Sequence, residues 1–294
     1  MTSAAEWWLG ARPRTLPAAV VPVVIGTAVA YDEAIEFVAA EWLPRAALAM
    51  VVSLALQVGV NYANDYSDGV RGTDDERAGP LRLVASKRAT PRAVKRAAFV
   101  AFGMACVAGL VLAALTTWWL IAVGVVSVGA AWTYTGGPRP YGYAGFGEVF
   151  VFVFFGLVAT AGTSFVIVES VSLLAILSGA LAGLLAVALL MVNNIRDIAG
   201  DARSGKRTLA VRLGDRRSRL AFSLVYVLAV VVVFAAATQS LGAVLGAVGL
   251  LAALPAVSTV RAASSAPQLI AALGMTARTQ LIVGAFYALG LVIQ

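Results

Sequence analysis

NYANDYSDGVRGTDDE, residues 61–76, packs five carboxylates and two asparagines into a short segment of a chain that is only 13% charged. It sits at the end of a long apolar run. Asn61, Asn64, Asp65 and Asp68 stand at i, i+3, i+4 and i+7, so a helix continuing out of that run presents all four on one face. A second polar island, NNIRDIAGDARSGKR at residues 193–207, carries Asn193, Asn194, Asp197 and Asp201 at i, i+1, i+4 and i+8. Each island leaves an apolar helix and runs into a turn, Gly-Thr in the first and Gly-Lys-Arg-Thr in the second. The similarity hints at an internal duplication and predicts that two acidic faces converge on one site.

The flanking sequence sets the class of protein. Hydrophobic residues make up 61% of the 294, and the mean hydropathy is +0.88; soluble domains are roughly 45–50% apolar. Such a chain reads as a single all-α, polytopic membrane domain over residues 1–294, with no separate soluble domain or low-complexity tract. Nine spans are expected, near 16–31, 43–63, 93–115, 118–134, 147–168, 171–193, 219–238, 241–260 and 279–293. Pro17 and Pro22 predict a kink or tilt in the first. The first ten residues, with Glu6 and Trp7-Trp8, lack the basic start of a cleavable signal, so the first apolar run reads as a retained helix.

Charge then orients the spans. Of 22 Lys and Arg, 21 fall in the N-terminal segment and in the 64–96, 135–146, 194–219 and 261–278 connections. Nine spans put all of these on one side, and the positive-inside rule makes that side cytoplasmic, N-terminus included. Arg45 alone falls on the other side, beside Asp32, Glu33, Glu36, Glu41 and Glu169. Both acidic islands therefore face the cytoplasm, in what reads as a plasma-membrane protein. The net charge of +7 is interleaved with membrane-length apolar runs, which argues for orientation and a small polyanionic ligand and against nucleic acid.

Composition also limits the chemistry. There is no histidine and one cysteine, Cys106 in an apolar run, which excludes imidazole chemistry, cysteine metal sites and internal disulfides. Carboxylate and carboxamide oxygens are hard ligands that suit Mg²⁺, which binds one or two protein carboxylates together with phosphate oxygens. Two such clusters ringed by Arg71, Arg77, Arg82, Lys87, Arg88, Arg196, Lys206 and Arg207 describe a magnesium–diphosphate site. Loop charges mostly just solvate a surface, and Asp75, Glu76 and Asp215, off the repeated spacing, are read that way. The asparagines differ, since they lie within the apolar helices, where polar groups are costly. Tyr134 reads equally as a phosphate donor or an interfacial aromatic. Glu148, in GFGEVFVFVFFG, needs a partner or a function.

In this order, ARPRTLPAAVVPVVIGTA, NYANDYSDGVRGTDD, RLVAS, YTGGPRPYGYAGFGEVFVFVFFG and NNIRDIAGDARSGKRTLAVRLGD resemble the UbiA-type superfamily of intramembrane prenyltransferases. Over residues 7–216 they are most similar to its 1,4-dihydroxy-2-naphthoate polyprenyltransferase branch, in menaquinone synthesis. The resemblance implies nine transmembrane helices around a central cavity with cytoplasmic caps. It also implies Mg²⁺ held by Asn64, Asp65, Asp68, Asp74, Asn194, Asp197 and Asp201, with Asp65, Asp68, Asp197 and Asp201 as the catalytic carboxylates. Lys206, Arg196, Tyr134, Arg71 and Arg77 would contact the diphosphate, and Arg12 and Asn61 the acceptor. Asp74 follows Asp68 by six residues, where the superfamily's commonest spacing is four, and RLVASKRATP departs from the expected RLVASG.

The reaction so implied transfers a long-chain prenyl group from polyprenyl diphosphate to 1,4-dihydroxy-2-naphthoate, with loss of CO₂ and diphosphate, giving demethylmenaquinone. The prenyl tail would lie among the helices, next to membrane lipid. Either Asp65 or Asp68 would take the acceptor proton. Two alternatives are a related enzyme with another aromatic acceptor, such as 4-hydroxybenzoate, and an ion-coupled transporter. A transporter calls for charges near the bilayer midplane, whereas these cluster at helix ends. Donor chain length and oligomeric state are not encoded in any motif.

Overall fold

A computed structural model describes residues 2–34, 38–73 and 81–294. All regular structure among them is helical. The chain enters through α1 (Ala4–Gly10), started by a reciprocal cap in which Ser3 and Glu6 bond each other's backbone N–H, and a 3₁₀ turn, Pro13–Thr15. It then runs through α2 (Pro17–Glu33), α3 (Ala39–Val70), α4 (Pro91–Leu115) and α5 (Leu120–Thr133). The second half comprises α6 (Gly147–Val168), α7 (Leu173–Arg203), α8 (Leu209–Leu213), α9 (Asp215–Ala237), α10 (Leu241–Ala262) and α11 (Ala266–Ile293).

Each expected span falls on a helix, but not every helix has a span's dimensions. Seven of the described helices are long and apolar enough to cross a bilayer, and the bent pair Ala4–Thr15 with Pro17–Glu33 makes an eighth. α5 has only 14 residues, about 21 Å at 1.5 Å per residue, against roughly 30 Å of hydrocarbon. The last helix is longer than hydropathy predicts. It begins at Ala266, so most of the expected 261–278 loop is helical and Arg278 lies within it, exposed. Arg278 and the polar residues Thr276, Thr279 and Gln280 lower the local hydropathy without breaking the helix. The bend of 54° lies between Thr15 and Pro17. Pro17 occupies the first helical position, where its missing N–H is unneeded, and Pro22 stays inside a continuous α2.

The main core surrounds α7, whose Leu181, Leu185, Ala188 and Val192 are buried against residues of α2, α9 and α11. A second core, around Tyr62, Leu83, Val94 and Phe102, joins α3 to α4 and the 81–84 segment. α6 carries a π-helical stretch, Phe152–Val158. There Gly156 touches α7 so closely that a Cβ would lie 2.5 Å from the Cα of Gly183, and the widened turn turns Phe154, Phe155 and Val158 toward the interior cavity. Arg45, the exception to the charge asymmetry, is a staple: it donates to the carbonyls of Leu115, Val166 and Ile167 at 3.1–3.3 Å and pairs with Glu169 at 3.2 Å. It thereby satisfies carbonyls left open at the ends of α4 and α6.

Candidate active site

The apolar run before Asn61 does continue as one helix, and the Asn/Asp positions 61–68 and 193–201 form the last turns of long helices, α3 and α7. Their ends are built alike. Asn61, Asn64 and Asp68 on α3 and Gly72 just beyond it share the spacing i, i+3, i+7, i+11 with Asn194, Asp197 and Asp201 on α7 and Gly205 just beyond it. Gly72 and Gly205 adopt left-handed φ values of 70° and 78°, a conformation that terminates helices and favours glycine. The next amide bonds back to the aspartate in each case: Thr73 N to the Asp68 carbonyl at 3.1 Å, Lys206 N to the Asp201 carbonyl at 2.9 Å. The expected similarity of the islands thus extends to the backbone, with Asp68 and Asp201 as counterparts. Asp65 has an isoleucine, Ile198, as its counterpart.

Asp68 and Asp201 occupy the C-terminal turns of their helices, where the backbone dipole disfavours an anion. A cation offsets that cost. The Lys206 ammonium lies 3.1 Å from Asp68 and 3.9 Å from Asp201, so carboxylates from two helices already converge on one positive charge. Tyr143 completes the shell of Asp68, donating its hydroxyl at 2.5 Å. Asp197 accepts two bonds from the adjacent Arg196, at 2.8 and 2.7 Å. Asn64 accepts from Thr135 at 2.8 Å, and Asn194 donates to Glu148 at 2.9 Å. Glu148 is thereby paired at one oxygen, while the other is buried without a hydrogen bond.

A cavity of about 660 Å³ joins these groups. Asn61, Asn64, Asp68, Asn194, Asp197, Asp201 and Lys206 line its polar end together with Arg12, Arg82, Tyr134 and Tyr143. Its remainder is mostly apolar and reaches Ala49 in the first half of α3 and Leu112 near the end of α4. From Asp68 to Ala49 the helix rises about 28 Å. Leu110, Ile121 and Val125 line the cavity yet are 49%, 40% and 67% exposed, so it opens sideways between α4 and α5. The exposed Cys106 stands at the same opening.

Several expected contacts lie elsewhere. Asp65 is 1% exposed and does not line the cavity; its two oxygens accept the backbone N–H groups of Leu83 and Val84 at 2.7 and 3.0 Å. It anchors the RLVAS segment to α3. The Arg196 side chain is 2% exposed, absent from the cavity wall and committed to Asp197. Arg71 is exposed and binds the carbonyls of Thr135 and Gly137. Asp74 and Arg77 lie outside the described residues. Asn61 lines the cavity and holds the Ala11 carbonyl at 2.8 Å and Thr15 at 3.0 Å. The turn so held contains Arg12, at a left-handed φ of 55°, with one buried guanidinium nitrogen lacking a hydrogen bond. Lys87 and Arg88 are exposed, and Arg88 pairs with Glu6 at 3.3 Å.

Tyr143 and Thr135 were not evident from the acidic spacing; only the aromatic and polar residues of YTGGPRPYGY point to that loop. Burial raises the Tyr143 phenol above its ordinary range and Asp68 adds to the shift, so it stays a protonated donor. Among the described residues no three acidic side chains gather closely enough to hold a metal unaided. The oxygen-rich polar end still fits Mg²⁺, which takes few protein carboxylates and completes its shell with phosphate and water, and Lys206 marks where positive charge is favoured.

The sequence model of the UbiA prenyltransferase family matches residues 19–291. The 1,4-dihydroxy-2-naphthoate octaprenyltransferase of Mycobacterium tuberculosis is 48% identical over 287 residues, covering 96% of this chain and 95% of that one. Among solved structures, a UbiA homolog from Aeropyrum pernix K1 has a TM-score of 0.69 at 16% identity, with 92% and 96% of the two chains covered. A UbiA homolog from Archaeoglobus fulgidus bound to GPP and Mg²⁺ has a TM-score of 0.59 at 12% identity, over 98% and 99%. These structural likenesses establish the fold.

Proposed function

The chain belongs to the UbiA prenyltransferase family, and we propose that it transfers a polyprenyl group from its diphosphate to 1,4-dihydroxy-2-naphthoate, with loss of CO₂ and diphosphate. The observation that carries this reading is one continuous cavity: two acidic helix ends and Lys206 at one pole, a largely apolar length behind them, and a lateral opening between α4 and α5. That shape matches a charged head on a long hydrocarbon tail. The naphthoate acceptor is supported by the relative from M. tuberculosis, whose name specifies it.

In this reading Asn64, Asp68, Asp197 and Asp201 would hold Mg²⁺, with Asn194 beside them. Bound magnesium supplies positive charge to the diphosphate oxygens. Lys206 and Arg82 neutralise further phosphate charge, and Tyr134 donates a hydrogen bond as the allylic C–O bond breaks and its electron pair leaves with diphosphate. The remaining allylic cation is attacked by the ring carbon that bears the acceptor carboxylate. CO₂ departs, returning its bonding pair to the ring. Arg12 would hold that carboxylate, a role supported by its buried, unsatisfied nitrogen, and Asn61 fixes the turn that carries it. Asp68, which faces the cavity where Asp65 does not, would take the acceptor hydroxyl proton as the ring attacks and return it to that oxygen as CO₂ leaves, so the quinol keeps both hydroxyls. No covalent enzyme intermediate is required, in keeping with a chain without histidine.

The charge asymmetry supports a plasma-membrane protein with this end of the cavity toward the cytoplasm, and nine membrane-embedded helices if the bent pair and the short α5 are included. Purified protein given 1,4-dihydroxy-2-naphthoate, a polyprenyl diphosphate and Mg²⁺ should release prenylated naphthoquinol and one CO₂ per product. Product formed from 4-hydroxybenzoate but not from the naphthoate would overturn the acceptor; product from neither, with any donor, would overturn the enzyme. The tail path has its own reporter. A long-chain donor should slow labelling of Cys106 by a lipid-soluble maleimide severalfold, whereas dimethylallyl diphosphate should leave the rate unchanged, because its tail is too short to reach the opening. Equal labelling with both donors would remove the tail from that opening.

A further inference from the structure

Tyr143 belongs to one half of the site and acts on the other. Its 3₁₀ turn, Tyr141–Ala144, is fastened to the loop that follows α7. Arg207 N donates to the Tyr143 carbonyl at 2.8 Å. Arg212 donates to the carbonyls of Ala144 and Arg207 at 2.6 and 3.1 Å. The turn is therefore mechanically part of the Lys206-bearing half. Yet the Tyr143 hydroxyl crosses to Asp68 on α3 at 2.5 Å, while its ring lies under the Lys206 ammonium at 4.7 Å. On the same ring the Arg71 guanidinium carbon stands 5.3 Å from the centroid. Asp68 thus gives one oxygen to Tyr143 and the other to Lys206.

This closed triangle has a physical consequence. A carboxylate in the last turn of a helix gains nothing from the backbone dipole, so its orientation is set by its donors. Lys206 ends a four-carbon stem with much rotamer freedom to lose, and an aromatic face beneath the ammonium narrows where it rests. One residue therefore fixes both the anion of the first half and the cation of the second.

We propose that Tyr143 is a positioning residue that couples the two halves, its hydroxyl orienting Asp68 and its ring seating Lys206, so that both meet the donor's diphosphate in one register. The inference rests on the prenyl-diphosphate reading of the cavity.

The experiment uses the purified, detergent-solubilised full chain and two variants, Tyr143→Phe and Tyr143→Leu. Magnesium with inorganic diphosphate serves as the probe, read by the rise in melting temperature as the diphosphate is titrated; steady-state kinetics are measured alongside. Phe keeps the ring and loses the hydroxyl. It should raise both the diphosphate concentration for half-maximal stabilisation and the donor KM by about tenfold, the scale of one hydrogen bond to a charged group, leaving the acceptor KM unchanged. Leu also removes the seat of Lys206 and should shift both quantities further. A Phe variant with parental half-saturation and donor KM would overturn the proposal, as would a lowered melting temperature without ligand and no change in half-saturation. If magnesium diphosphate fails to stabilise even the parent, the diphosphate reading falls and takes this proposal with it, an outcome distinct from a stabilised parent matched by its variants.

Discussion

Asp68→Ala and Asp197→Ala should each lower kcat/KM by about 10³-fold, the order seen when one group aimed at developing charge is removed from a preorganised site. Each loses a hard oxygen ligand at the point where two helix ends converge, and each also leaves a cation behind. Lys206 loses its nearer carboxylate, 3.1 Å away, in the first variant. Arg196, with a side chain only 2% exposed, loses its bidentate partner in the second. The cations then repel bound magnesium instead of framing it, so raising the metal concentration should restore little. Protease resistance and detergent-solution melting should report a folded protein in the Asp68 variant, because that side chain faces a cavity. Parental turnover in either variant would take that residue out of the site.

The neighbouring carboxylate should behave in the opposite way. Asp65→Ala removes the acceptor of two backbone N–H groups, those of Leu83 and Val84, in a place with no access to water. Stranding buried groups that had bonded a charge costs about 3–5 kcal/mol, a large share of the roughly 5–15 kcal/mol that holds a domain folded. A lower melting temperature and release of the RLVAS segment to proteolysis are the expected signs. Asp65→Asn, which keeps one acceptor and points an amide at the other N–H, should fall between Ala and the parent. Turnover per folded molecule should stay near the parental value in the Asn variant. An Asn variant that melts like the parent but does not turn over would return Asp65 to the chemistry.

The contrast between these two aspartates marks how far the sequence reaches. Apolar runs of membrane length, interrupted by two Asn/Asp islands, determine a helical membrane domain with two acidic helix ends, because burying unpaired backbone in lipid leaves few other solutions. Helical spacing also places Asn64 and Asp68 on one face of α3 and Asp197 and Asp201 on one face of α7, and the cavity contains all four. Spacing assigns Asp65 to that same face. What it leaves open is which segment packs beside each angle of the helix, and the amides that claim Asp65 come from 18 and 19 residues further along. The same holds for Arg196, counted with the phosphate-binding cations by its charge and found enclosed against its own neighbour.

Elsewhere packing and hydrogen bonding override the local pattern. The bend ahead of α2 falls at Pro17, the first helical position, where the missing N–H is unneeded, while Pro22 lies within a continuous helix. Hydropathy starts the last span only at residue 279, but a helix needs hydrogen bonds, not uniform apolarity, and α11 starts at Ala266. Composition and periodicity by themselves determined that this chain lies in a membrane and brings two oxygen-rich helix ends to one side. Only the tertiary structure decided that Asp68 and not Asp65 faces the cavity, that Tyr143 spans the two halves, and that the cavity opens between α4 and α5. Those outcomes depend on contacts between residues far apart in the chain, which no local pattern encodes.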